Sequence, residues 1–169
     1  MRTAAVADDT EFVITRLFKA PRSRVWEAWE KPELMSQWFG PKGVTTTVKT
    51  LDLRPGGIMH ARMDRPDGGH MWAKFAYREV VEPSRLVWVH SFADEHANTV
   101  PWPFEGPWPL EILSTATFTE EEGGTRIHVV WTPINPSAEE RQAFAGMIES
   151  MTEGWGGTFD KLDEALAGR

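Results

Sequence analysis

Among the side chains able to do chemistry at neutral pH are five histidines, His60, His70, His90, His96 and His128. None stands at ligand spacing to another, and no cysteine is present to supply a thiolate ligand or nucleophile. The chain has no Gly-x-Ser-x-Gly elbow, no Gly-x-x-x-x-Gly-Lys-Ser/Thr phosphate loop and no His-Glu-x-x-His pair. No metal, no cofactor and no assigned catalytic residue is therefore expected. His60 and His128 fall on the polar register of their segments, which favours solvent. His90 differs, because Leu86, Trp88, His90 and Phe92 alternate along one face. If that face is the inner one, His90 is a polar group among aromatics, able to orient a ligand oxygen or transfer a proton. The commoner outcome for such a residue is a buried His tied to a neighbouring backbone group. Arg16 shares a face with Ile14 and Phe18, the pattern of an internal ion pair or, less often, a grip on a ligand carboxylate. Glu79 and Glu111 are lone strand carboxylates, expected to be solvated or salt-bridged.

Composition narrows the function classes. A net charge of −7, with basic residues scattered, argues against nucleic acid, which needs a dense basic face. No apolar run approaches the ~20 residues of a membrane span, and residues 1–10 lack the apolar core of a signal peptide. A cytoplasmic protein is the expectation, and the absence of cysteine fits it. The aromatic content is skewed, with nine Trp and nine Phe against one Tyr. Core packing accounts for most large aromatics. Nine tryptophans in 169 residues leave some to line or cover a cavity.

The elements that must position these residues follow from periodicity. Residues 12–20 read as a strand, followed by two short helices around 22–30 and 32–39, separated by Pro32 and closed by Gly40. From Thr45 the chain changes to β alternation. Strands are expected over 45–53, 59–64, 70–82, 85–93, 111–120 and 125–132, punctuated by Pro/Gly and Gly-Gly turns. Met59, Ala61 and Met63 alternate with His60, Arg62 and Asp64, so one face is apolar and the other polar. Residues 98–110 hold four Pro and two Trp and read as a surface loop. Ser137 and Glu140 form a capping-box pattern. Beyond them Phe144, Ile148, Met151, Trp155, Phe159, Leu162 and Leu166 make one apolar stripe, predicting a long helix over 138–166 bent near Gly154–Gly157 or closely approached there. Consecutive strands on short turns must be antiparallel. The fold class is α+β, a curved antiparallel sheet gripping a long C-terminal helix, with 1–169 as a single domain whose first ten residues are flexible.

The run Arg16-Leu17-Phe18-Lys19-Ala20-Pro21, with Val25-Trp26, Trp29, Pro32-Glu33 and Trp38-Phe39-Gly40-Pro41, resembles a known N-terminal signature. Asp52-Leu53-Arg54-Pro55-Gly56-Gly57, Pro66-Asp67-Gly68, Arg85-Leu86-Val87 and the ending from Gly154 to Leu162 extend the likeness over residues 12–166. The family is the single-domain relatives of the activator of the heat-shock-protein-90 ATPase, within the START-like, or SRPBCC, superfamily. That resemblance implies the helix-grip fold and a link to stress response. It leaves function open, because relatives in the superfamily bind lipids, sterols, hormones or polyketides, some catalyse cyclisation, and the co-chaperone members act by protein contact. Two departures are visible: a longer loop around Trp102–Trp108, suited to a lid, and Phe75 where many relatives carry Gly, which would narrow a cavity.

The preferred reading is a domain that binds a small hydrophobic or aromatic molecule between sheet and helix without obligatory catalysis. Its expected lining is Trp38, Met59, Met63, Phe75, Trp88, His90, Trp108, Met147, Met151 and Trp155, methionine serving as a pliable surface. The rival readings are a cyclase- or hydratase-like enzyme in the same cavity, and a co-chaperone-like module with a chaperone or other protein partner on the Trp-rich loop. A homodimer is compatible with each.

Overall fold

Alternating strands joined by short turns assemble into one sheet. The computed structural model describes residues 11–168, so the flexible end expected for residues 1–10 lies outside it. Strand β1 (Phe12–Phe18) leads into two short helices, α1 (Arg22–Glu30) and α2 (Pro32–Trp38). Strands β2 (Thr45–Leu51), β3 (Ile58–Asp64), β4 (His70–Val81) and β5 (Arg85–Ala93) follow. After these come β6 (Thr99–Val100), β7 (Ile112–Glu121) and β8 (Gly124–Pro133), then helices α3 (Ala138–Gly146) and α4 (Ile148–Ala167). The strand order is β1-β8-β7-β5-β4-β3-β2, antiparallel throughout, with β6 paired to β5. This is the helix-grip α+β fold, with α4 across the concave face.

The C-terminal half of α4's apolar stripe shows what holds the grip. Phe159, Leu162 and Leu166 are buried, and Phe159 meets Phe18 edge-on with ring centroids 5.1 Å apart. Arg16 is a structural cation: its guanidinium reaches Asp160 at 2.8 Å and Asp163 at 3.2 Å, so it is not free for a ligand carboxylate. Lys161 donates to the carbonyls of Pro41 and Val44, fastening the helix to the chain between α2 and β2. Over the middle strands of the sheet, Trp29 packs against Trp38, Trp88 and Phe118 with centroids 4.8, 5.9 and 5.3 Å away.

Three features differ from the sequence reading. The C-terminal helix is two helices, broken at Met147 (φ −102°, ψ 6°), whose N–H bonds back to Phe144 at 3.1 Å. Gly154, Gly156 and Gly157, where a bend or a close approach was expected, lie within unbroken helix; a Cβ on Gly157 would stand 3.1 Å from Lys42 Cγ and 3.4 Å from its backbone N, so close approach is the reason for that glycine. Within the Pro-rich segment Thr99 and Val100, which precede its first Pro, pair with Ala93 and Phe92. His60 points away from the helix as its register requires, yet it is only 4% exposed. Trp72 stacks on its ring at 4.5 Å and its Nε2 lies 2.9 Å from the Asp94 carbonyl, so the polar face is covered at this corner. The capping box is present, Ser137 accepting from Glu140 N–H at 3.1 Å and Glu140 from Ser137 N–H at 3.0 Å.

Candidate functional site

Small residues facing one another leave a void between sheet and helix. Ala73 on β4 and Gly154 on α4 both line a cavity of about 220 Å³. Met63, Met71, His90, Phe92 and Trp131 complete its sheet side, and Met151, Trp155 and Thr158 its helix side. Met151, Gly154, Trp155 and Thr158 are spaced i, i+3, i+4 and i+7, one face of a helix. Phe39, Gly40 and Pro41 form the rim. Gly40 has φ +98°, and a Cβ there would come within 2.9 Å of Thr46 Oγ1, so the rim needs glycine.

A second chamber of about 200 Å³ adjoins the first, sharing His90, Phe92, Trp131 and Met151 with it. Trp102, Trp108, Ile112, Met147 and Ser150 close it. Its cover is the Pro-rich loop. Trp102 and Trp108 stack at 4.6 Å and 25°, Trp102 donates to the Glu105 carbonyl at 3.2 Å, and Trp108 leans on Phe144 at 5.6 Å.

Of the residues expected at the site, Met63, His90, Met151 and Trp155 face the first chamber, and His90, Trp108, Met147 and Met151 the second. Trp38, Met59, Phe75 and Trp88 do not line either; each is at most 1% exposed and belongs to the core behind it. Phe75 stacks on Trp88 at 4.6 Å and meets Phe39 edge-on at 5.3 Å, filling space that a glycine would have left open. Lining residues absent from the expected set include Met71, Ala73, Phe92 and Trp131. The alternation Met71-Ala73-Phe75 and Ile127-Val129-Trp131 carried the signal for three of them. The rim at Phe39–Pro41 had none, because a loop's position over a pocket is set by tertiary contacts.

His90 stands in the wall between the chambers, its ring 5.1 Å from that of Phe75 and 4.8 Å from that of Trp131. The backbone tie expected of a buried His is not made: Nδ1 is sealed within the protein without a partner. Its remaining accessible surface faces the chambers. Burial pushes its pKa down from 6.5 to about 4, so the imidazole is neutral at physiological pH. Among the described residues no Asp, Glu, Lys or Arg lines either chamber. Among the described residues no cluster of three His, Asp or Glu could hold a metal, and no helix is long and apolar enough to cross a membrane.

Comparison with curated proteins finds no match. Solved structures do match. Protein Ms6760 from Mycobacterium smegmatis is 31% identical, with a TM-score of 0.77 over 95% of this chain and 92% of that one. A protein from Arthrobacter aurescens is 26% identical, with a TM-score of 0.79 over 96% of this chain and 89% of the other. A Nitrosomonas europaea protein is 25% identical, with a TM-score of 0.74 over 95% and 96%. The family described as Activator of Hsp90 ATPase homolog 1-like protein matches residues 19–167, from the end of the first strand to the end of the last helix, and the chain belongs to that family.

Proposed function

We propose that the protein binds a small hydrophobic or aromatic molecule in the cavity between the sheet and α4, without obligatory catalysis. The observation that carries this is a concave, partly open apolar wall with a polar side chain, His90, shared by both chambers. An apolar cavity of about 150 Å³ holds benzene. The first chamber is larger, at about 220 Å³, and accommodates a substituted ring. Among the described residues no carboxylate lines it to partner His90 in proton transfer, which favours binding over the enzyme reading. The Trp-rich loop turns Trp102 and Trp108 inward over the second chamber, leaving Phe104 and Leu110 as its exposed large apolar side chains. That arrangement supports a lid rather than a docking surface for a chaperone or other protein.

Gly154 supplies the test. A Cβ there meets nothing within 4 Å, on the helix face that lines the cavity. Gly154→Leu should fill the chamber while removing a helix-interior glycine that costs roughly 1 kcal/mol. Titration with neutral one-ring aromatics should quench Trp fluorescence saturably in the wild type. The variant should lose that response with an unchanged or higher Tm. An equal response in the variant, or no compound that binds the wild type, would overturn the proposal.

A further inference from the structure

We infer that the cavity selects an uncharged ligand carrying an acceptor oxygen, such as an aromatic ketone, which takes a hydrogen bond from Nε2–H of His90. This rests on the binding reading and goes further by naming the ligand's polar chemistry. The imidazole has two nitrogens in different surroundings. Nδ1 is sealed in the wall with no partner. Nε2 makes no hydrogen bond among the described residues, and it does not share Nδ1's complete enclosure, so it remains accessible from the cavity. A neutral imidazole places its single proton on one nitrogen or the other. A proton on Nδ1 would be a buried donor with no acceptor, which costs the desolvation of the N–H with nothing in return. The proton therefore sits on Nε2, and His90 offers the cavity a donor.

Among the other polar side chains of the lining, Trp155 in the first chamber and Trp108 and Ser150 in the second also carry donors, whereas His90 borders both chambers. Thr158 spends its hydroxyl on the Gly154 carbonyl at 3.0 Å. The indole Nε1 of Trp131 and the hydroxyl oxygen of Ser114 are unpaired but closed off from the cavity. Charge is excluded by the walls. Arg16 and Lys42 are paired with Asp160, and Lys161 is held by the Pro41 and Val44 carbonyls, so an anionic ligand would be desolvated without a free counterion. Burial keeps His90 itself uncharged at neutral pH.

Three probes of nearly one shape separate the possibilities: acetophenone, α-methylstyrene, which replaces the carbonyl oxygen by a methylene, and benzoate. Calorimetric titration of the full chain at pH 7.5 should show acetophenone binding about tenfold tighter than α-methylstyrene, the net worth of one hydrogen bond. Benzoate should bind more weakly than either. His90→Leu should abolish the preference while still binding α-methylstyrene, and His90→Gln, which keeps a side-chain donor, should restore part of it. Long-range 15N–1H NMR should report the Nε2–H tautomer in the free protein. Equal affinity for acetophenone and α-methylstyrene in the wild type, tight benzoate binding, or an Nδ1–H tautomer overturns the anchor and leaves the binding reading standing. Failure of both neutral probes to bind overturns the two together.

Discussion

Met59→Asp is expected to unfold the protein or remove on the order of 5 kcal/mol of stability, because it buries a carboxylate with no partner. Met59 is fully buried, paired across strands with Leu51 and Phe75. Neither neighbour can accept or donate to a carboxylate, so the group must ionise in an apolar site or stay protonated far above its usual pKa. A domain's whole stability is only about 5–15 kcal/mol, so this one change approaches its limit. Arg62→Asp, three residues along the same strand, should cost less than about 1 kcal/mol. Arg62 points to the other face, and what it loses is an exposed pair with Asp64 at 3.1 Å. Urea titrations followed by far-UV circular dichroism give both values. Comparable losses from the two substitutions would mean that β3 carries its side chains in the opposite register.

That register was legible in the sequence because strand alternation is a local property. Met59, Ala61 and Met63 announce one face without knowledge of what covers it. The same holds for the apolar stripe of the last helix and for the capping box, each encoded within a few residues. What escaped was whatever depends on contacts distant in sequence. Gly146 and Met147 end a helix inside an uninterrupted stripe, and three later glycines that looked like the break are helical. One of them, Gly157, is there because Lys42 passes close by, more than a hundred residues away in the chain. At the site, the same locality divided the expected lining. Met63, His90, Met151 and Trp155 shared an inward face and reach the void, whereas Met59, Phe75 and Trp88 share that face and lie in packed core. Which inward residues meet empty space depends on the small residues opposite, here Ala73 and Gly154, and only the assembled fold pairs them.

His90 should make the protein lose stability as the solution is acidified from pH 7 towards pH 4. In the unfolded chain its imidazole takes up a proton near pH 6.5, whereas burial in the native wall holds uptake down to about pH 4. Between those two values the unfolded state binds a proton that the folded state refuses, so unfolding is favoured progressively as the pH falls. The stabilisation is complete above about pH 6.5, and below about pH 4 no further loss comes from this residue. The full difference is on the order of 3 kcal/mol. The groups that surround the ring, Phe75 from β4, Ile112 from β7, Trp131 from β8, and Met147 and Met151 from the helical side, carry no charge that could stabilise the imidazolium. Asp67, Asp94 and Asp160 act in a different window. Hydrogen bonds from Gly69, Asn98 and Lys42 respectively lead the causes that hold their carboxyls below 3.8, so their contributions are lost only under more acidic conditions. Urea midpoints of the wild type and of His90→Leu, measured at pH 7.5, 6, 5 and 4.2, isolate the histidine. The wild type should lose stability relative to the variant steadily across that series, and parallel curves for the two proteins would show that His90 finds a way to be charged in the native state.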